Sequence, residues 1–241
     1  MKVVIIGGVA GGATAAARIR RLDEKAEIVV FERSGFISYA NCGLPYYIGG
    51  TIEDEGDLTL QTPESFYKRF RVKMNVRHEV TAIHPKAKMV TVKNIENGTV
   101  FTETYDKLIL SPGAKPIKPN FEGIDSDKIF TLRTVEDTLK IKKFINEKYP
   151  KSAVVVGGGF IGIEVAENLR ELGIDVTLVE AADQLMAPFD SDMASFIHAE
   201  LRKNGVNLML GRVVEGFADT DDGICLKLKN SPTLHANMVV M

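Results

Sequence analysis

Two stretches of the chain share one pattern, in which a short all-apolar run leads through a glycine-rich turn into an amphipathic helix. In the first stretch the apolar run covers 3–6, the glycine-rich turn covers 7–12 and the alanine-rich helix ends at Leu22. A second apolar run over 28–31 follows and is closed by Glu32. Short apolar strands that alternate with helices predict a parallel sheet covered on both faces.

The second stretch repeats this order later in the chain. Apolar residues 153–156 precede the glycine-rich turn 157–162, then a helix that ends at Leu172, then a strand over 176–179 closed by Glu180. Two such strand–helix–strand units in one chain predict an α/β protein with two tandem Rossmann-like dinucleotide-binding domains.

A different pattern separates the two units. Residues 89–92 and 99–102 alternate between apolar and polar, which is typical of an antiparallel hairpin, and Asn97-Gly98 supplies the turn. We expect this β-meander insertion to give the fold a three-layer β-β-α character.

The division between the two domains is predicted within residues 114–130, which contain Pro116, Pro119 and Gly123. This gives a first domain over 1–115 and a second over 116–241. The chain ends in an apolar strand, 238–241, with nothing after it. We therefore expect the second domain to be incomplete and the protein to be C-terminally truncated.

Two helices are predicted in the second domain besides the one that follows its glycine-rich turn. Thr134 and Asp137 have the spacing of a capping box for a helix that runs toward Tyr149. Residues 192–204 are amphipathic. The apolar side of this second helix is predicted to consist of Met193, Phe196, Ile197 and Leu201.

Composition narrows the function classes. Among 241 residues, 30 basic and 32 acidic side chains give a net charge of −2, so no electrostatic argument favours nucleic acid or an anionic membrane. No apolar run reaches the roughly 18 residues that cross a bilayer. The chain has only 2 cysteines, which is typical of a reducing compartment. We predict a cytoplasmic protein that has neither a nucleic acid nor a membrane as partner.

The first glycine-rich turn predicts a nucleotide site. In a strand–turn–helix unit, backbone N–H groups at the start of the helix face a pyrophosphate, and side chains there would block its approach. An acidic residue about 20 positions later accepts a hydrogen bond from a ribose hydroxyl. Glu32 lies 20 positions after Gly12, although Val9 stands where the second glycine of the G-x-G-x-x-G pattern belongs. The alternative is an ordinary turn with an exposed glutamate.

The second turn matches the same pattern fully, with Gly157, Gly159 and Gly162. Glu180 lies 18 positions after Gly162. Because an acidic side chain repels a 2′-phosphate, we expect this site to prefer NADH to NADPH.

Cys42 is the candidate for redox chemistry. It lies in the run SYANCGLPYY, where Gly43 and Pro45 are compatible with a turn that enters a helix. A thiol becomes a nucleophile where its thiolate is stabilised. The alternative for any single cysteine is a small buried apolar residue, which is our interpretation of Cys225, on a late strand between Ile224 and Leu226.

The runs GGVAGG, SYANCGLPYYIGG, SPGAKP, TLRTVED and VVVGGGFIGIEVAENL, in this order along the whole chain, resemble the flavin- and nicotinamide-dependent disulfide reductase superfamily. Within it they resemble the single-cysteine branch of coenzyme A-disulfide reductases, NADH-dependent persulfide reductases, and NADH oxidases and peroxidases. The resemblance implies FAD at the first glycine-rich turn, a nicotinamide dinucleotide at the second, and catalysis by Cys42.

The resemblance also implies the residues that bind the two cofactors. They are Gly7, Gly8, Val9, Ala10, Gly11, Gly12, Glu32, Arg33, Asn41, Cys42, Val80, Ser111, Pro112, Gly113, Arg133, Gly157, Gly158, Gly159, Phe160, Ile161, Gly162, Glu164 and Glu180. Among them, Phe160 is expected to gate the nicotinamide side and Glu164 to lie near the flavin.

Two departures distinguish between the branches of the family. Two-cysteine members carry a second cysteine where this chain has Tyr47, so Cys42 is expected to pair with an exogenous sulfur or to cycle through a sulfenic acid. Oxidases and peroxidases carry a histidine where this chain has Ala10, which favours thiol exchange. An NADH oxidase or peroxidase, and a non-catalytic nucleotide-binding or redox-sensing module, remain alternatives.

The first helix predicts a substrate surface. Thr14, Arg18 and Arg21 share one face, opposite Ala15, Ile19 and Leu22. By resemblance this basic face binds coenzyme A, and Ser38 and Asn41 contact the substrate beside the cysteine. A lysine of the family is replaced by Phe70, for which Arg69 or Arg71 are candidate substitutes.

The predicted activity is therefore electron transfer from NADH through FAD to a coenzyme A disulfide or persulfide at Cys42. By resemblance, the full-length form is a homodimer, and a returning flavin-binding segment follows the second domain. No such segment occurs before Met241. We expect the chain as it stands to bind FAD weakly and to be largely inactive.

Overall fold

Apolar, mostly β-branched runs form the central strands, and the glycine-rich turns lead from them into helices. The computed structural model describes all 241 residues. Up to residue 115 the elements are β1 (Lys2–Ile6), α1 (Ala10–Leu22), β2 (Glu27–Phe31), α2 (Leu44–Gly49), α3 (Pro63–Phe70), β3 (Lys73–Asn75), β4 (His78–His84), β5 (Met89–Asn94), β6 (Val100–Thr104) and β7 (Lys107–Leu110). They continue with β8 (Ile129–Phe130), α4 (Val135–Lys148), β9 (Ser152–Val156), α5 (Phe160–Glu171), β10 (Asp175–Val179), α6 (Ser191–Lys203), β11 (Asn207–Met209), β12 (Val214–Thr220), β13 (Gly223–Leu228), β14 (Leu234–Ala236) and β15 (Met238–Val240).

The chain divides into two structural units. The first comprises residues 1–41 and 55–115, and the second comprises 42–54 and 116–241. The unit changes after residue 115, and the short segment 42–54, which contains α2, groups with the second unit. The division into domains 1–115 and 116–241 stays a prediction. The assignment of the units to two different cofactors stays a prediction.

The first unit has three layers. Its parallel sheet has the strand order β3-β2-β1-β7, and an antiparallel meander has the order β4-β5-β6. On one face of the parallel sheet, Val3 and Ile5 pack with alanines of α1. On the other face, Val4 packs with Val90 and Val92 of the meander. The predicted β-meander and the three-layer character are confirmed.

The buried face of α1 consists of its smallest residues. Leu22 is 70% exposed, and the buried residues of the helix are Gly12, Ala13, Ala16 and Ala17. The glycine turn brings the start of α1 so close to β1 that only the smallest side chains fit against the sheet. A Cβ on Gly12 would lie 1.8 Å from the Gly7 carbonyl oxygen. The face that carries Thr14, Arg18 and Arg21 is exposed, as predicted.

The second unit repeats the plan of the first. Its parallel sheet has the order β11-β10-β9-β15-β8, and a second antiparallel meander has the order β12-β13-β14. Val154 and Val239 of the sheet pack with Phe217, Ile224 and Leu226 of that meander. The predicted α/β fold with two Rossmann-like units is confirmed. None of the helices combines the length and the apolar character that a membrane crossing needs.

Two burial predictions in the second unit were wrong. In α6, Met193 is 54% and Phe196 is 70% exposed, while Ala194 and Leu201 are buried. The helix therefore packs through a narrower face than its apolar pattern predicts. Cys225 is half-buried. Alternation along β13 turns Ile224 and Leu226 into the core and Cys225 to the opposite face.

The capping box predicted at the start of α4 is present. The Asp137 N–H donates to Thr134 Oγ1 at 3.2 Å, and Asp137 Oδ2 accepts from the Thr134 N–H at 3.0 Å. These two bonds satisfy backbone groups that the first turn of a helix leaves without an intrahelical partner.

We expect Thr134→Ala to lower the free energy of unfolding by about 1 kcal/mol, because the helix loses its side-chain cap. Urea denaturation followed by circular dichroism measures this change. Thr233→Ala is the matched control, since Thr233 is exposed and lies in a loop. Equal effects of the two substitutions would contradict the role of the capping box.

Candidate functional site

The first glycine turn is built for close approach of a ligand to the backbone. Gly7 follows β1 with φ +98°, a conformation that favours glycine. A Cβ at this position would lie 2.0 Å from the Ser111 carbonyl oxygen. The Ser111 N–H donates to the Ile6 carbonyl at 2.8 Å, so the predicted segment that starts at Ser111 lies directly beside the turn.

Glu32 is held in place by the same turn. Its Oε2 accepts a hydrogen bond from the Gly8 N–H at 2.7 Å, and its Oε1 accepts one from the Ser34 N–H at 2.8 Å. An ionised carboxylate has about four acceptor positions, so Glu32 keeps capacity for hydroxyl donors while its orientation is fixed.

A cavity of about 300 Å³ opens beside this turn in the first unit. Of the residues predicted to bind a cofactor, the cavity brings together Gly7, Glu32, Arg33, Val80, Pro112 and Gly113. This volume and position fit part of a dinucleotide. The remaining predicted residues of the first turn, Val9 to Gly12, lie at the start of α1.

The sequence analysis missed three polar residues of this cavity, His78, Glu79 and Lys115. His78 Nδ1 lies 2.6 Å from the Val76 carbonyl oxygen, and the Arg33 guanidinium lies 3.8 Å from Glu79. Lys115 belongs to the SPGAKP run and had a signal that could have found it. His78 and Glu79 have none, because contacts with distant residues bring them to the cavity, including the bond from the His78 N–H to the Glu32 carbonyl at 2.9 Å.

The second glycine turn reproduces the geometry of the first. Gly157 has φ +107°, and a Cβ on Gly162 would lie 2.0 Å from the Gly157 carbonyl oxygen. Glu180 Oε2 accepts from the Gly158 N–H at 2.6 Å, and its Oε1 accepts from the Ala182 N–H at 2.7 Å. The space beside the Cα of Gly159 is open.

The helices that follow the two glycine turns differ from others in how they begin. Neither α1 nor α5 has a side-chain cap or an acidic residue in its first turn. By contrast, α3 and α4 both have a capping box and an acidic first turn. The starts of α1 and α5 thus keep backbone N–H groups and positive dipole ends for an anionic ligand, which fits the pyrophosphate of a dinucleotide.

Cys42 is a free, exposed cysteine. It lies in a 3-10 turn, Asn41–Gly43, that leads directly into α2, with Pro45 in the first helical turn as predicted. Four residues earlier, the Ser38 N–H donates to the Gly8 carbonyl at 3.0 Å, which fixes Ser38 beside the first glycine turn. Asn41 is half-buried at the end of the first unit.

Ionisable side chains of the second unit lie near α2. Burial raises the pKa of Glu164, and the neighbouring Glu167 raises it further. Burial also raises the pKa of Tyr46, with smaller contributions from Glu164 and other carboxylates and from Cys42. Tyr46 therefore keeps its proton at neutral pH and is available as a hydrogen-bond donor. Phe160 and Ile161, at the start of α5, are 63% and 50% exposed.

The basic face of α1 extends onto α3. The guanidinium carbon of Arg21 lies 6.0 Å from the centroid of the Phe70 ring, and that of Arg69 lies 5.0 Å from it. Arg18 is exposed on the same face as Arg21. An aromatic ring between guanidinium groups suits a ligand that carries both phosphates and a ring system.

Arg133, which is predicted to bind a cofactor, is not among the residues that line the first cavity. Arg133 belongs to the second unit, where its N–H donates to Asp137 Oδ2 at 3.1 Å, just before α4. Its role, like those of Asn41 and Cys42 toward FAD, stays a prediction.

The sequence and the fold of the chain are similar to those of known proteins. Residues 1–241 match the family model described as pyridine nucleotide-disulphide oxidoreductase. The coenzyme A disulfide reductase of Staphylococcus haemolyticus is 43% identical over 218 residues, which are 90% of this chain and 49% of the relative. The chain thus spans about half the length of the curated relatives it matches.

Solved structures give the same result. The reduced CoADR-RHD of Bacillus anthracis has a TM-score of 0.96 and 47% identity, covering 99% of this chain and 43% of its own. A NAD-dependent persulfide reductase from A. fulgidus has a TM-score of 0.94 and 36% identity, with 100% and 44% covered. A water-forming NADH oxidase from Lactobacillus brevis has a TM-score of 0.92 and 34% identity, with 100% and 53% covered. With its two glycine turns and its match over the full length, the chain belongs to the pyridine nucleotide-disulphide oxidoreductase family.

Proposed function

We propose that the protein is a flavin-dependent oxidoreductase that carries electrons from NADH to a coenzyme A disulfide or persulfide through Cys42. The observation that carries this proposal is the exposed, free Cys42 in the turn before α2. The position five residues after Cys42, where a second cysteine would provide a partner for an internal disulfide, is Tyr47. Relatives named coenzyme A disulfide reductase and persulfide reductase support the same chemistry.

The two glycine turns are the proposed dinucleotide sites. FAD is assigned to the cavity beside Gly7 and Glu32, and the nicotinamide dinucleotide to the turn at Gly157–Gly162 with Glu180. When bound, these cofactors supply the hydride and electron transfer, while the protein supplies binding and orientation. Phe160 and Glu164 are proposed to lie against the nicotinamide and the flavin, respectively.

The proposed thiol chemistry proceeds in two steps. First, the Cys42 thiolate attacks one sulfur of coenzyme A disulfide, a mixed disulfide forms, and one coenzyme A thiolate leaves and takes up a proton. Two electrons and one proton from NADH, with a further proton from solvent, then cleave the mixed disulfide into the Cys42 thiol and a second coenzyme A thiol. Each turnover thus converts one disulfide, one NADH and one proton into two thiols and NAD⁺.

The basic face of α1 is the proposed binding surface for coenzyme A. Arg18 and Arg21 carry guanidinium groups that suit phosphates, and Phe70 with Arg69 extends this surface onto α3. Arg69 thereby takes the role proposed for the basic residue that Phe70 replaces. Thr14, Ser38 and Asn41 are the further proposed contacts.

The second site is proposed to prefer NADH to NADPH. Both oxygens of Glu180 are engaged by backbone N–H groups, so the carboxylate cannot swing away from an added 2′-phosphate without losing them. The repulsion between the Glu180 carboxylate and the 2′-phosphate then weakens the binding of NADPH.

We further propose a cytoplasmic location, a small-molecule disulfide or persulfide as substrate, and a homodimer as the full-length form. The near balance of charge, at −2, favours neither nucleic acid nor a membrane as partner.

The second candidate is an NADH oxidase that cycles Cys42 through a sulfenic acid. It is favoured by the similarity to the Lactobacillus brevis enzyme. Ala10, exposed at the start of α1, places no proton-transferring side chain there, which favours thiol exchange. In the full-length protein, oxygen consumption without any dependence on coenzyme A disulfide would favour the oxidase.

We expect Cys42→Ser to abolish the covalent adduct that forms when the chain is incubated with coenzyme A disulfide, because the attacking sulfur is removed. Intact-mass spectrometry detects the adduct without requiring bound flavin. Cys225→Ser is the matched control and should form the adduct as the unmodified chain does. An adduct that persists in Cys42→Ser would refute the proposed nucleophile.

We expect Glu180→Gln to improve the affinity for NADPH relative to NADH by about tenfold, which corresponds to roughly 1.4 kcal/mol of relieved repulsion. The glutamine keeps the length of the side chain and one oxygen acceptor for the glycine turn. Titration calorimetry with each dinucleotide measures the ratio. Asp175→Asn, at the opposite end of β10, is the control and should leave the ratio unchanged.

We expect the double substitution Arg18→Gln and Arg21→Gln to slow adduct formation with coenzyme A disulfide by about tenfold or more at low salt, because charge-assisted hydrogen bonds to phosphates are lost. The difference should shrink at high salt, which screens exposed charges. Stopped-flow kinetics measures the rate, and Lys25→Gln, beyond the end of α1, is the control. A small uncharged disulfide should react equally fast with every variant.

A further inference from the structure

The helix that follows Cys42 is anchored by its C-terminal end. Cys42 and α2 group with the second unit, and α2 packs there against α5 and α4. At its end, Gly50 adopts φ +90° and its N–H closes the helix onto the Tyr46 carbonyl at 3.0 Å. The Cys42 end carries the exposed thiol. The contacts made by α4 and α5 therefore hold the end of α2 that lies away from the thiol.

The first anchoring contact joins α2 to α5. The side chain of Asn168 lies against the backbone of Gly49, where a Cβ would come within 2.1 Å of Asn168 Oδ1 and 2.9 Å of Asn168 Cβ. Asn168 is only 1% exposed, and its Nδ2 donates to the Glu164 carbonyl at 2.8 Å. Its Oδ1 is buried without a hydrogen-bond partner. A buried orphan acceptor is costly, and such a group in a folded protein requires an explanation.

The second contact joins α2 to α4. Lys142 Nζ donates to the Ile48 carbonyl at 2.8 Å and lies 5.7 Å from the centroid of the Tyr47 ring. Carbonyls in the last turn of a helix lack intrahelical donors, and a cation there also interacts favourably with the helix dipole. Burial lowers the pKa of Lys142, which shows that the ammonium is partly removed from water to make this contact.

We infer that Asn168 and Lys142 are positioning residues for the Cys42 thiol, acting through α2. Asn168 fixes the distance between α2 and α5, because its side chain fills the space that any residue larger than Gly49 would need. Lys142 fixes the end of α2 from the side of α4. Since α5 begins at the second glycine turn, the same helix that carries this nucleotide site also holds the thiol-bearing segment. The inference rests on the proposed role of Cys42.

The test measures the reaction of Cys42 with dithiodipyridine, a neutral disulfide that needs no coenzyme A site, and uses Cys225 as an internal reference. In Lys142→Met and in Gly49→Ala, we expect Cys42 to react about tenfold more slowly, since the reactivity of a cysteine depends on its immediate surroundings, which change when α2 is displaced. Cys225 should react at an unchanged rate. Amide hydrogen exchange in α2 should become faster, because the helix loses its anchor.

Two controls separate positioning from general destabilisation. Lys143→Met removes an exposed lysine from the same helix. This lysine makes only a surface ion pair with Glu147, at 3.8 Å. We expect the variant to behave as the unmodified chain does. Alanine is a better helix former than glycine, so Gly49→Ala would strengthen α2 if helix propensity alone mattered. The double variant Gly49→Ala with Asn168→Ala removes the steric conflict and should recover part of the lost rate.

Unchanged exchange in α2, an unchanged Cys42 rate, or equal changes at Cys42 and Cys225 would overturn the inference. A separate arm with coenzyme A disulfide tests the proposed function. If the unmodified chain forms no adduct with it, the proposed substrate is wrong, while the dithiodipyridine comparison still decides whether Asn168 and Lys142 position the thiol.

Discussion

The same kind of hydrogen bond organises both halves of the chain. A glutamate at the end of one strand accepts the N–H of the second glycine in the glycine turn that follows the neighbouring strand. Glu32 makes this bond to Gly8 at 2.7 Å, and Glu180 makes it to Gly158 at 2.6 Å. Charge-assisted bonds of this length are among the stronger ones in proteins. Each ties the turn to the adjacent strand, and the second oxygen of each carboxylate accepts a further backbone N–H, from Ser34 or Ala182. The groups proposed to bind a ribose and a pyrophosphate are therefore already in position.

The path of the chain explains why Cys42 groups with the second structural unit although its preceding neighbours group with the first. After Ser38, which is bonded to Gly8, the chain leaves the first unit at residue 41 and returns at residue 55. The intervening segment carries the thiol at one end and the anchored end of α2 at the other. A redox group placed on such a segment is held by one unit while its sequence neighbours are held by the other. The position of the thiol then depends on packing contacts that no local motif encodes.

Features that depend on local sequence were predictable. The strands, the glycine turns, the capping box at Thr134 and the turn after Cys42 each follow from a few adjacent residues, and the structure contains all of them. Features that depend on distant partners were not. The exposure of Leu22 and Phe196 depends on which face of each helix packs against the rest of the fold, and the His78 N–H donates to the Glu32 carbonyl at 2.9 Å, which holds His78 at the first cavity. The sequence gives no signal for Lys142 and Asn168 either, since the partner of Lys142 in α2 lies 94 residues away and that of Asn168 lies farther still.

Tyr47 connects the chemistry of the cysteine with the architecture of its helix. A second cysteine at this position would give Cys42 a partner with which to form an intramolecular disulfide. The tyrosine instead presents its ring to Lys142, whose ammonium also takes the Ile48 carbonyl. Tyr47 thus leaves Cys42 without a disulfide partner at this position and contributes to the anchoring of α2. Because the other cysteine, Cys225, lies on β13, the proposed reaction of the exposed Cys42 thiol is exchange with sulfur that arrives from solution. A small-molecule disulfide is the partner that such an arrangement favours.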